Sequence, residues 1–416
     1  MTLDLMCMIS LLVITITQVV LVGWFARICR RGASQPPADA PCLSPARVIL
    51  CLRGSDPFLG DTIRAAVLQD HPDYELRVVI DSRDDPAWAE VEAALATIQP
   101  RCRVVVEPLE ARPATSSLKC ASLLQGLRDA EHDTAMVALL DADVVPAPTW
   151  LRTLGTALAA EGCGVATGNR WYAPPDRELG SWARAGWNAG ALVQMVCFGI
   201  PWGGTLAVRS SLLEAAGLRA KWAAAFCEDT LLSAALAGTG WHVTFVPALI
   251  AVNRESVTLA ALVPWITRQL LTARLYHPAW PAVAVFGLAA PLSVMATVAA
   301  MGLALARGDA AAVAGLGACL ALFLASLPTL FLWIEHVVMQ TVGTRRDTAA
   351  PPLADAIRGT FSAQAIYGGA ILRALALTST TWRGVTYAIG GPFDIRLVAD
   401  DEPTSPAAPP APLHSI

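Results

Sequence analysis

Charged side chains are scarce in this chain of 416 residues. They make up 15% of it, against 55% apolar residues, whereas an ordinary soluble domain carries about 25% charged residues. The formal net charge of −4 provides no basic surface for nucleic acid, and no RNA- or DNA-binding signature is present. Metal-finger spacings are missing too. The ten cysteines are scattered, no Cys-x-x-Cys occurs and the six histidines do not cluster, which argues against a zinc site. No internal repeat is evident.

What the chain has in quantity is long uncharged runs. Met6–Ala26, Ala279–Ala306 and Ala310–Ile334 each supply the roughly 20 apolar residues that cross a bilayer. They predict an anchor at 5–27 and further spans at 279–306 and 310–335, with Pro291 interrupting the second. The start of the first run carries Asp4 and no lysine or arginine, the wrong beginning for a cleaved signal peptide. Its far flank carries Arg27, Arg30 and Arg31, which marks that side as cytosolic. The segment up to the second span is then cytosolic, where its thiols stay reduced. The last two spans form a hairpin about Arg307-Gly308-Asp309, and the chain returns to the cytosol at Arg345 and Arg346. Pro/Ala-rich composition predicts a linker at 31–44 and a disordered tail at 400–416.

Between the first two spans the pattern changes. Short apolar runs, RVILCL, ELRVVID, CRVVVE and AMVALLD, read as buried strands, and helical stretches near 59–69, 88–98 and 117–128 separate them. This alternation predicts an α/β domain over 45–257, a parallel sheet with helices on both faces. Ligands bind at the carboxyl ends of such strands, where Asp81 and Asp141 stand. GTLAVR and HVTFVPA read as later strands. Residues 258–277 read as an amphipathic interfacial helix, with Trp265 and Tyr276 suited to the membrane surface. Residues 351–390, apolar but containing Asp355, Arg358 and Arg373, read as an interfacial or re-entrant segment.

Three acidic spots carry the chemistry. Asp141-Ala142-Asp143 follows a buried strand. Carboxylates in this spacing either share a divalent cation, which brings substrate phosphates with it, or form a solvated turn. DSRDDPAW places Asp81, Asp84 and Asp85 after the second strand. Glu228-Asp229 opens a helical stretch, EDTLLSAALAGTG, where Asp229 is either a helix cap or a general base facing an acceptor hydroxyl. Lys119, at a helix start, either meets phosphate or is solvated. Gly203-Gly204 either lets the backbone approach a ligand or is a plain loop.

Taken together, the single amino-terminal anchor, DDPA, DAD and ED in an α/β domain, and the carboxyl-terminal membrane helices resemble the ceramide-glucosyltransferase-like family. That family belongs to the family-2-type glycosyltransferases with the GT-A fold. RGSDPFLGDTI…DHPDYELRVVIDSRDDPA, GGTLAVRSSLLEAAGL, CEDTLLSAALAGTGWHVTF and TWRGVTY extend the likeness over residues 5–390. The resemblance implies a Rossmann-like GT-A domain in the cytosol. It implies Asp85 as the first family aspartate, with Asp81 as its rival for the uridine. Asp141 and Asp143 are implied to hold nucleotide sugar and Mn2+ or Mg2+, Lys119 to lie near the diphosphate, and Asp229 to be the base with Glu228 beside it. One departure stands out. The family's (Q/R)xxRW segment corresponds here to TRQLLTARLYHPAW. Starting it at Arg268 or Gln269 puts Leu271 or Thr272 where the arginine belongs, and Arg274 is the candidate replacement from the next turn.

The resulting expectation is an inverting glycosyltransferase that moves a hexose, glucose in the family's name, from a UDP-sugar to a lipid hydroxyl. A processive polysaccharide synthase and a non-catalytic membrane scaffold are the alternatives. The Ala/Arg-rich composition fits a GC-rich bacterial genome and hence a bacterial inner membrane. There, hopanoid or diacylglycerol is as suitable an acceptor as ceramide.

Overall fold

The computed structural model describes residues 2–32, 40–130, 134–343 and 351–401. Part of the expected linker, the pair Arg345 and Arg346, and the tail beyond Asp401 lie outside these residues.

The chain opens with a long helix, α1 (Leu3–Gly32), and continues as β1 (Ala46–Leu52), α2 (Leu59–Ala66), β2 (Tyr74–Ile80), α3 (Pro86–Ala96), β3 (Arg103–Pro108), α4 (Leu118–Gly126) and β4 (Met136–Leu140). These elements follow the sequence reading closely. Ser117 caps α4; its side chain accepts from the Cys120 N–H. Next come α5 (Trp150–Ala159), β5 (Cys163–Tyr172), α6 (Leu179–Phe198), β6 (Thr205–Arg209), α7 (Ser211–Ala215), α8 (Leu218–Trp222), α9 (Leu232–Ala235) and β7 (His242–Asn253). Neither β5 nor the 20-residue α6 was expected. α6 is almost uncharged and is buried along most of its length, so it lacks the alternation of faces that marks a surface helix.

The seven strands form one sheet in the order β3-β2-β1-β4-β6-β5-β7. Its first half, β3 to β4, is parallel as predicted. The second half corrects the prediction, because β6 runs antiparallel to both β4 and β5. The register gathers the site. Leu52 lies opposite Ile80, and Leu50 opposite Leu140, so Arg53, Asp81 and Asp141 emerge at one edge. β6 enters from that same edge, with Leu140 opposite Thr205, which brings in Gly203-Gly204. β5 pairs Arg170 with Ala251 and Tyr172 with Asn253, so their carboxyl ends arrive there too.

Beyond the sheet are α10 (Leu259–Tyr276), α11 (Trp280–Ala306), α12 (Ala310–Thr341) and α13 (Leu353–Ala376), then a small antiparallel sheet of β8 (Ser379–Trp382), β9 (Val385–Gly391) and β10 (Asp394–Asp400). Among the described residues, α1, α11 and α12 are the helices long and apolar enough to cross a membrane. Pro291 sits inside an unbroken α11. Asp4 pairs with Arg307 at 2.8 Å, so the start of α1 and the α11–α12 turn share one end of the bundle. At the other end Gly32 abuts Pro247 of β7, which puts the sheet domain on the side of Arg27, Arg30 and Arg31. α6 and the end of β5 pack against α1 and α12 around Trp171, Trp182 and Phe331.

Two expectations for the C-terminal third are corrected. Trp265 and Tyr276 do not face outward: Trp265 packs edge-on against Tyr172 and Trp187, and the Tyr276 hydroxyl accepts from the Phe226 N–H. The segment at 351–390 divides. Its first part is α13, but from Ser379 it forms strands that fold back on the sheet domain, where the buried Tyr387 hydroxyl accepts from the Leu118 N–H.

Candidate active site

A cavity of about 370 Å³ opens at the gathered edge. Asp141 and Asp143 reach it from the turn after β4, Glu228 and Asp229 from the turn before α9, and Lys119 from the first turn of α4. Lys119 Nζ lies 2.7 Å from both Asp141 Oδ1 and Glu228 Oε1, so one ammonium joins the two acidic motifs. Burial alone would lower the Lys119 pKa, but these two carboxylates override it and hold it well above the usual lysine range. Glu228 is pushed up by burial, against the pull of Lys119 and with the repulsion of Asp229 and Asp141.

The helix expected from Glu228 onward is much shorter. It begins at Leu232, so Asp229 sits in the preceding turn and is not its N-cap. One Asp229 oxygen accepts from the Gly203 N–H at 2.8 Å, the other from the Thr230 hydroxyl at 2.9 Å. Gly203 is a glycine for this reason. A Cβ there would lie 2.2 Å from Glu228 Oε1, so the close backbone approach is to the carboxylates.

Asp143 is short of partners of opposite charge. Its Oδ2 accepts from Asn253 Nδ2 at 3.2 Å. Burial, followed by repulsion from Asp141, Asp56 and Glu255, raises its pKa to about 7 against the opposing pull of Arg170. Such a convergence of oxygen ligands suits Mg2+ or Mn2+, hard ions that are held by one or two carboxylates plus substrate phosphates. Among the described residues no group of three or more His, Cys, Asp or Glu side chains forms a complete metal cage, and a site completed by substrate oxygens needs none.

The opposite wall is cationic and aromatic. Arg170 lies over the rings of Trp265 and Trp202, at 4.8 and 5.5 Å, and donates to Gln269 Oε1 at 2.9 Å. Arg268 faces the cavity with its guanidinium 5.7 Å from the Trp382 ring. Burial, then the nearby Arg170 and Arg383, lowers its pKa to about 10, a destabilised cation that an anionic ligand would relieve. Arg383 lies at the β8–β9 turn with a left-handed φ of 47° and pairs with Asp56 at 2.5 Å.

Of the residues singled out in the sequence, Lys119, Asp141, Asp143, Glu228, Asp229, Arg268 and Gln269 line this cavity. Three do not. Asp85 is buried as the N-cap of α3, accepting from the Ala87 N–H and twice from the Gly54 N–H. Asp81 is taken up by Arg53 and Arg112, each at 2.7 Å. Arg274 donates to the carbonyls of Ala374, Leu375 and Leu377, so it closes the C-terminal end of α13 instead of replacing the missing family arginine. Asp56, Arg170, Trp202 and Glu255 were not anticipated. Trp382 and Arg383 were visible only as a quoted motif with no role attached.

The family model for glycosyl transferase family 21 matches residues 5–391. No curated protein matches the chain. Solved structures similar to it include a mannosyltransferase from Pyrobaculum calidifontis in complex with GDP-Man and Mn2+, 20% identical, covering 81% of this chain and 99% of that one with a TM-score of 0.49. A glucosyl-3-phosphoglycerate synthase from Mycobacterium tuberculosis with Mn2+ and UDP-glucose is 19% identical, covering 55% of this chain and 78% of that one with a TM-score of 0.34. The family match makes the protein a glycosyltransferase, one whose α/β domain is joined to helices long and apolar enough to cross a membrane. It belongs to glycosyl transferase family 21.

Proposed function

We propose that the protein transfers a hexose, with inversion, from a UDP-sugar to the hydroxyl of a membrane lipid at the cytosolic leaflet of a bacterial inner membrane. The observation that carries this reading is the meeting of the Asp141/Asp143 and Glu228/Asp229 motifs in one cavity that faces both a cationic wall and the membrane helices.

The diphosphate lies between the two walls. Asp141 and Asp143 would hold Mn2+ or Mg2+, which would supply positive charge to offset that developing on the leaving diphosphate. Arg268 faces that charge from the opposite wall, and Lys119 is a point charge beside it. Asp229, its carboxylate fixed by Gly203 and Thr230, takes the proton of the acceptor hydroxyl as its oxygen attacks the anomeric carbon. Glu228 keeps Lys119 in place. Trp382 and Arg383 close the cavity from the C-terminal sheet.

Purified full-length protein incubated with UDP-glucose, Mn2+ and a bacterial lipid extract is expected to yield glycolipid detectable by mass spectrometry, and Asp229→Asn to abolish it. Absence of turnover with every UDP-sugar, or full turnover in Asp229→Asn, would refute the reading.

A further inference from the structure

Two stretches singled out in the sequence have no part in the chemistry above. RGSDPFLG follows β1, and TWRGVTY runs from β8 into β9. The fold brings them together. Arg383 Nη2 lies 2.5 Å from Asp56 Oδ1 across 327 residues of chain, and both side chains line the catalytic cavity. Arg383 stands where an arginine is costly. Trp382 pairs with Val385, so Arg383-Gly384 is a two-residue hairpin loop, with φ of 47° and 79°. Two left-handed residues in such a loop suit Asn-Gly, and a long side chain is uncommon there. The position is nevertheless firmly built. Arg53 Nε donates to the Arg383 carbonyl at 2.9 Å, and the Arg383 guanidinium donates back to the Arg53 carbonyl. Asp81 and Asp400 clamp Arg53 in turn, at 2.7 and 2.9 Å.

Asp56 is a poor permanent partner. Burial raises its pKa even with Arg383 beside it, and Glu255 and Asp141 repel it. It also repels Asp143. On the cationic side, Arg170 and Arg383 crowd Arg268, and Arg268 and Arg383 each lie 5.7 Å from the Trp382 ring. Three guanidiniums from β5, α10 and the β8–β9 turn therefore share one wall. Leu271 and Thr272, which stand where the family arginine belongs, carry no charge.

We propose that Arg383 binds the donor diphosphate in place of the missing arginine, and that Asp56 is an internal stand-in for phosphate, displaced from Arg383 when the donor arrives. The inference rests on the reading of this cavity as a nucleotide-sugar site and deepens it. A guanidinium fork matches phosphate as well as carboxylate, so one anion can replace the other without moving the turn. While Asp56 occupies Arg383, only a fraction of the protein is ready to bind, and the apparent affinity for the donor falls by that fraction. The released carboxylate turns toward Asp143, where a divalent cation would offset their repulsion.

The test is calorimetric titration of UDP and of uridine into the full-length protein with Mn2+, for the wild type, Arg383→Ala and Asp56→Asn. Arg383→Ala is expected to weaken UDP binding about tenfold or more, as for a lost charge-assisted hydrogen bond, and to leave uridine within about twofold. Asp56→Asn is expected to act in the opposite direction and tighten UDP binding about threefold to tenfold, because the competing charge is gone, again with uridine unchanged. The second variant keeps the size of the side chain and decides the matter by sign if Arg383→Ala does not fold. A pair that only ties the C-terminal turn to β1 would give weaker UDP binding in both variants, or no change in either, and each of these results would overturn the proposal. An equal loss of UDP and uridine affinity in Arg383→Ala would also overturn it, since that marks a collapsed site and not a lost phosphate contact. If the wild type binds neither UDP nor GDP, the nucleotide-sugar reading itself fails, and this proposal with it.

Discussion

Two acidic motifs end the parallel strands on either side of β1, and the structure treats them in opposite ways. After β2, Asp81 and Asp85 are consumed by their own chain: Arg53 and Arg112 neutralise the first, and the N–H groups of Ala87 and Gly54 saturate the second. After β4, Asp141 shares one lysine with Glu228, and Asp143 faces three other carboxylates. A carboxylate answered by nearby donors holds the fold. Carboxylates crowded together in a cavity await a cation from outside. Strand-end position is the same for both motifs and does not separate them; the partners do.

The comparison breaks most sharply at the second motif. Asp143→Asn and Asp229→Asn are each expected to lower kcat about a thousandfold, within the range for losing a general base or a charge-stabilising group. Melting temperature is expected to hold or rise in Asp143→Asn, because removing a crowded negative charge relieves repulsion. A fall of many degrees would make Asp143 a structural residue. Chelation with EDTA is expected to remove activity to a similar extent, with recovery on adding Mn2+ or Mg2+. Activity that persists in EDTA would contradict the account of the second motif.

The first motif gives the converse. Asp85→Ala is expected to cost about 2–4 kcal/mol, from the lost cap and a buried Gly54 N–H left unpaired, while UDP affinity of the folded protein stays within about twofold, an energy difference under RT. Thermal melting and calorimetry separate the two effects. A large loss of UDP affinity without a melting shift would restore Asp85 to the donor site. The smallest contrast is between two arginines on α10. Arg268→Ala is expected to weaken UDP binding about tenfold, as for a hydrogen-bonded charge. Arg274→Ala is expected to lower stability by about 1 kcal/mol per lost carbonyl contact and to leave UDP affinity near the wild-type value. Equal effects on affinity would mean that both arginines reach the nucleotide.

How much of this was legible in the sequence follows the range of the interactions. The strands from β1 to β4 were readable because each is a short apolar run with a polar end, and that logic placed Asp141 at a binding edge. Asp81 met the same rule yet does not line the cavity, because its neutralising Arg53 follows a different strand, β1, and is itself held by Arg383, 330 residues away. Arg274 was chosen over a one-turn ambiguity that local spacing does not resolve; the carbonyls of α13 decide it, about 100 residues later. α6 and β5 escaped notice because both are buried on nearly all sides. The C-terminal strands carried a recognisable Trp-Arg motif, yet nothing local showed that they close the cavity.

The most direct test is calorimetric titration of UDP into the full-length protein, with and without Mn2+, for the wild type, Asp143→Asn and Asp85→Asn. The account predicts metal-dependent binding in the wild type and Asp85→Asn, and its loss in Asp143→Asn. Metal-independent binding that survives in Asp143→Asn and vanishes in Asp85→Asn would contradict it.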